Sequence, residues 1–121
     1  MGYQKSSGEW ADTDALTLRA SSALAASENG AWVELGDRTQ LRLTLTVTAV
    51  SGTSPTLDVS IETASDSSGS NATTIGTFAQ KTAAASQYLI CSGVGRFVRY
   101  VATLGGSASP TVTHSLSGEA V

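Results

Sequence analysis

The sequence predicts an all-β fold, an antiparallel β-sandwich or jelly roll of about eight strands. Three observations predict it. Leu41, Leu43, Leu45 and Val47 alternate with Arg42, Thr44, Thr46 and Thr48, and Leu57, Val59 and Ile61 alternate with Asp58, Ser60 and Glu62. A period of two puts one set on each face of a half-buried strand. Thr and Val are abundant while Glu and Lys are few, a balance that favours strands over helices. Turn-forming clusters of Gly, Ser, Asn and Asp punctuate the chain at short intervals.

Taken in order, Leu16 and Leu18 alternate with Thr17 and Arg19 in a first short strand. Residues 21–27 are Ala/Ser-rich and fit a loop or one helical turn. Residues 32–35 form a second strand between the turns Glu28-Asn29-Gly30 and Gly36-Asp37. The two alternating segments beginning at Leu41 and Leu57 read as strands three and four. The cluster Ser51-Gly52-Thr53-Ser54-Pro55 between them predicts a β-hairpin. Residues 74–78 supply a fifth strand, with Gly76 marking a bulge between Ile75 and Phe78. Residues 88–91, 97–104 and 111–117 complete the set. Ser54-Pro55-Thr56-Leu57 is echoed by Ser109-Pro110-Thr111-Val112, each after a long strand and a Gly-containing turn. Shared turn chemistry or duplication of a hairpin unit accounts for the echo; either way two long hairpins are expected, packed face to face.

The 121 residues fit one domain, read as an N-terminal arm over 1–14 and a β-domain over 15–121. Only 14% of residues are charged and the net charge is −3, with seven Lys and Arg and no basic cluster. Nucleic-acid binding needs such clusters to neutralise phosphates, so no nucleic-acid partner is expected. Apolar runs are too short to span a membrane, and residues 1–10 show no apolar segment of the secretory kind. Cys91 is the only cysteine, which fits synthesis in a reducing compartment.

Little in the sequence points to chemistry. His114 is the only histidine; the register of Val112 and Leu116 turns it inward, where a backbone partner would satisfy it. A dyad with Cys91 would need groups that lower the thiol pKa, and Leu89-Ile90-Cys91 reads as strand packing instead. One Cys and one His are too few for a zinc site. The loop Asp66-Ser67-Ser68-Gly69-Ser70-Asn71 lacks the carboxylates of a calcium loop and reads as a polar turn. Neither a catalytic residue, a metal nor a cofactor is expected. Candidate contact residues are Tyr3 and Trp10 in the arm, and Arg96 and Arg99 flanking Phe97. Surface ion pairing is the alternative role for the two arginines.

The segments Pro55-Thr56-Leu57-Asp58-Val59-Ser60-Ile61-Glu62-Thr63, Thr77-Phe78-Ala79-Gln80, Gly95-Arg96-Phe97-Val98-Arg99-Tyr100 and Gly105-Gly106 resemble small virion proteins of tailed bacteriophages. The resemblance spans roughly the C-terminal two thirds, and its motifs are short and structural. It implies a sandwich or jelly roll serving as a capsid cement or decoration protein, or as a tail accessory. Expected partners are the major capsid protein or other virion subunits and further copies of the chain, as a dimer or trimer. The expected location is the capsid surface of a virion, after synthesis in the host cytoplasm. The Gly-Arg-Phe-Val-Arg-Tyr piece is also similar to discoidin-like carbohydrate-binding sandwiches. A carbohydrate-binding or adhesion module of a phage tail or cell surface is therefore the alternative, weakened by an aromatic content of 6%.

Overall fold

The computed structural model describes residues 14–121. Among these the regular structure is all strand: β1 Asp14–Leu24, β2 Glu28–Asn29, β3 Val33–Glu34, β4 Gln40–Ala64, β5 Thr73–Thr77, β6 Ala85–Ser92 and β7 Phe97–Ala120. Every pairing is antiparallel. Strands β4 and β7 form the centre, in the order β1-β7-β4-β5, with β2 and β3 also on β7 and β6 also on β4.

The alternation along β4 does what its period requires. Leu41, Leu43, Leu45, Leu57 and Ile61 are fully buried, with Val47 and Val59 nearly so. They join Val98, Tyr100, Ala102, Val112, Leu116 and Ala120 of β7, together with Phe78 and Cys91, in one hydrophobic cluster. Each fully buried Leu or Ile contributes about 1.5–3 kcal/mol of transfer free energy.

The hairpins expected from the turn clusters do not form. Residues 41–51 of β4 pair with 111–120 of β7, and residues 56–64 pair with 97–105. The two central strands thus make one long ribbon, and neither pairs with itself. Ser51-Gly52-Thr53-Ser54-Pro55 is a bend within a strand, faced by a matching bend over 105–110. Register shifts flank Thr53, so Pro55 and Pro110 both fall where no ladder partner is required. A proline there removes no interstrand hydrogen bond. Positive φ angles cluster at the same place: Gly52 (97°), Ser54 (50°), Gly106 (117°), Ala108 (57°) and Ser109 (52°). The sequence echo is therefore real in structure, because both Ser-Pro pairs sit at the bend.

Other expectations shift less. The Ala/Ser-rich stretch 21–27 is neither helix nor simple loop, since β1 continues through it to Leu24 with two irregularities. Glu28-Asn29 is a short strand on β7 and not a turn. The bulge near Gly76 is present: Ile61 faces Gly76 while Glu62 faces Thr74, leaving Ile75 as the extra residue. Of the expected arm, only Asp14 is described. It opens β1 and pairs with Arg38.

Candidate interaction surface

Three titratable side chains next to the core, Arg19, Glu28 and Tyr100, are engaged with one another. Arg19 is buried and points inward from β1. Its guanidinium donates to Glu28 Oε2 at 2.9 Å, to the Ser22 carbonyl at 2.9 Å and to the His114 carbonyl at 2.7 Å. Tyr100 donates its hydroxyl proton to the same Glu28 oxygen at 2.6 Å. The hydrogen bond from Tyr100, assisted by Arg19, holds the Glu28 carboxyl below its ordinary range, although burial works against it. Burial is the main reason the Tyr100 hydroxyl is pushed up.

His114 is 1% exposed, as the register of its strand predicted, and its Nδ1 lies 3.3 Å from the Val112 carbonyl. Burial lowers its pKa and favours the neutral imidazole. Burial likewise raises the Cys91 thiol, the opposite of what a nucleophile needs. The two groups are not neighbours. Cys91 faces Leu41 and His114 faces Val47, and six residues of extended chain separate those positions by about 20 Å. Among the described residues no three His, Cys, Asp or Glu side chains gather to hold a metal ion. In the Asp66 loop, Asp66 Oδ1 instead accepts hydrogen bonds from Ser68 and Ser70. These bonds, Ser70 foremost, bring its pKa down to about 2.

Two outward faces remain, and they differ. Around residues 56–64 and 97–105 the face is charged. Arg99 donates to Glu62 at 2.9 Å and lies 4.5 Å over the Trp32 ring. Trp32 also abuts Gly69 of the Asp66 loop. Arg96, 64% exposed, donates to Glu34 at 2.8 Å and sits beside Phe97. Both candidate arginines thus reach one face, each already in an ion pair. Tyr3 and Trp10 lie outside the described residues.

The other face covers residues 40–51 and 111–120 with β6 and β1. Ladder register sets out its rows: Ile90, Arg42, Glu119 and Ala15; then Tyr88, Thr44, Ser117 and Thr17; then Ser86, Thr46 and Ser115. It is a field of small hydroxyls with one ion pair, Arg42 to Glu119 at 3.5 Å. At its border stand Tyr88, 57% exposed, and Ile90, 51% exposed, the large hydrophobic side chains that the described residues leave open. Sequence reasoning passed over both. Parity in the sequence alone does not reveal them, because Leu89 and Cys91 are apolar too; the structure turns Leu89 and Cys91 to the core and so leaves Tyr88 and Ile90 facing out.

No protein-family model matches the chain, and no curated protein matches it either.

Proposed function

We propose that the chain is a jelly-roll β-sandwich acting as a structural virion protein, a capsid cement or decoration protein that stabilises a phage head by binding shell subunits. The fold part is supported by the pairing at the bend. It divides the strands into two four-membered sets, β1-β7-β4-β6 and β2/β3-β7-β4-β5, the order that a folded ribbon gives in a jelly roll. A contact between the sets supports stacking: a Cβ added to Gly76 of β5 would meet Cys91 Sγ of β6 at 2.6 Å. Counted by half-ribbon, the strands come to eight.

The observation that carries the functional reading is the hydroxyl-rich face bordered by Tyr88 and Ile90. A broad surface with few charges packs against another protein at lower desolvation cost than a charged one, and aromatic side chains are enriched in such contacts. Binding, without catalysis, is the role this surface suits. A carbohydrate-binding module would need aromatic rings free to stack on sugars. Trp32 is instead covered by Arg99 and Gly69.

Purified heads of the phage that encodes the chain, stripped of it, provide the test. Added protein is expected to bind to saturation and to raise the temperature at which the heads disrupt. Thr44→Lys and Ser117→Lys, in the middle of the face, should lose that binding while keeping a strand-type circular-dichroism spectrum. Heads that take up no protein would end the reading. Removal of residues 1–10 separates the arm from the face: undiminished occupancy would rule out the arm as an anchor.

A further inference from the structure

We propose that β6 pairs edge to edge with β6 of a second copy of this chain, forming a two-fold symmetric antiparallel dimer. The proposal makes the expected self-association specific, but it stands without the virion assignment.

An open strand edge presents unpaired N–H and C=O groups, and proteins that stay monomeric blunt such edges. The other edges of this sheet carry recognisable protection. Strand β1 is interrupted by two register shifts and carries the inward-pointing Arg19. Strands β2 and β3 have two residues each. Strand β5 has five residues and a bulge. Strand β6 has none of these devices. It pairs with β4 through eight consecutive residues without a register shift, and among the described residues no strand pairs with its other side. No proline and no charged residue occurs between Lys81 and Arg96. The two large hydrophobics exposed among the described residues, Tyr88 and Ile90, both project from it.

The occupant follows from charge and symmetry. A neutral strand pairs best with another neutral strand, and a second copy brings one with the same pattern of donors and acceptors. The residues outside the described part, 1–13, include Lys5, Glu9 and Asp12 and match it less well. Centring the two-fold axis on Leu89 keeps the outward parity across the junction. Tyr88 then lies opposite Ile90 of the partner subunit, an aromatic–β-branched pair of the stabilising kind. The hydroxyl-rich faces of both copies become one continuous surface. Such an interface is small beside the ~1,600 Å² of a standard one, and the dimer is expected to dissociate in the micromolar range.

Sedimentation of the full chain between about 1 and 100 µM should show a monomer–dimer equilibrium. Ile90→Lys places a charge at both ends of the junction and should raise the dissociation constant about a hundredfold, tenfold at each site. Mixing Ile90→Lys chains with Tyr88→Glu chains should restore a heterodimer, because the register sets the new Lys beside the new Glu. Hydrogen exchange at the β6 amides of the unaltered chain, slow when concentrated and fast when dilute, checks the same point without substitution. A chain that stays monomeric throughout, a dimer indifferent to Ile90→Lys, or no heterodimer in the mixture would overturn the proposal. A dimer seen only after removal of residues 1–13 would assign the edge to the arm instead. None of these measurements uses a phage particle, so this proposal and the virion reading can fail separately.

Discussion

Gly52 lies against Pro110 at the bend shared by β4 and β7, where a Cβ on Gly52 would come within 2.7 Å of the Pro110 Cα. The φ of +97° at Gly52 adds a conformational penalty to that clash. Gly52→Ala should therefore cost about 3 kcal/mol, at the upper end of single-substitution effects. Gly36 also has positive φ but has open space around its Cα. Gly36→Ala should cost only about 1 kcal/mol. Urea denaturation midpoints measure both; equal losses would show that crowding at the bend is relaxed by movement of Pro110.

Glu28 serves two donors, Arg19 and Tyr100, and its removal leaves a buried guanidinium without its carboxylate. Glu28→Ala should destabilise by about 2 kcal/mol, reduced from the usual cost of breaking a buried pair because the Glu28 side chain is 38% exposed. Tyr100→Phe removes one neutral donor and should cost about 1 kcal/mol. In the double variant the losses should sum to less than their total, since both substitutions act on the same oxygen.

Stability should fall in acid in two stages, the first from His114 and the second from the lowered carboxyls of Glu28 and, below pH 3.8, Asp66. The His114 pKa is lowered in the folded state, so the unfolded chain takes up the proton first. Its contribution is complete above the ordinary value of 6.5 and is lost as pH falls from there toward the folded value. The Glu28 pKa is also lowered, so its contribution is present above the ordinary 4.5 and is lost below it, through the folded value. Equilibrium unfolding between pH 8 and 3 should show both declines. His114→Gln should remove the one that sets in below pH 6.5 and leave the one below pH 4.5.

Gly76 and Cys91 offer a direct test of stacking between β5 and β6. Gly76→Ala should destabilise by about 1–3 kcal/mol, the range for overpacking. Cys91→Ala removes the sulfur that the new methyl would meet. In that background the same substitution should cost at least 1 kcal/mol less, a coupling that a double-mutant cycle resolves. Additive effects would mean that these two strands do not face each other across the core.

Trp32 under Arg99 provides a spectroscopic handle. In a Trp10→Phe background, Arg99→Ala should shift the remaining indole emission to the red as water reaches the ring. The lost stack and ion pair should cost about 1 kcal/mol. Unchanged emission would mean that Gly69 and its loop alone shield the ring.

The face of each central residue was legible because polarity of period two admits only one orientation for Leu41, Leu43, Leu45, Leu57 and Ile61. The partner of each strand was not. Ser51-Gly52-Thr53-Ser54-Pro55 has the chemistry of a hairpin turn, but the same small residues also suit a bend inside a strand, and local sequence does not choose between them. The choice is made by residues 97–120, which bury against both halves of β4. For the candidate surface, Arg96 and Arg99 are conspicuous cations in the sequence, and both are engaged in ion pairs. Tyr88 and Ile90 were hidden because their stretch, Tyr88-Leu89-Ile90-Cys91, is apolar on both parities. Only the burial of Cys91 and the partial burial of Leu89 separate outside from inside.

The long ribbon has a consequence for how the molecule is made. Residue 41 finds its mate at 120 and residue 64 finds its own at 97, so the earliest segments wait for the latest. High separation between mates slows acquisition of structure, and a nascent polypeptide halted at residue 110 would leave Leu41, Leu43 and Leu45 without their β7 partners. Cooperative order in this domain waits for residues 111–120. Ribosome-bound chains of increasing length should turn protease-resistant in one abrupt step once residues 111–120 emerge, and not gradually.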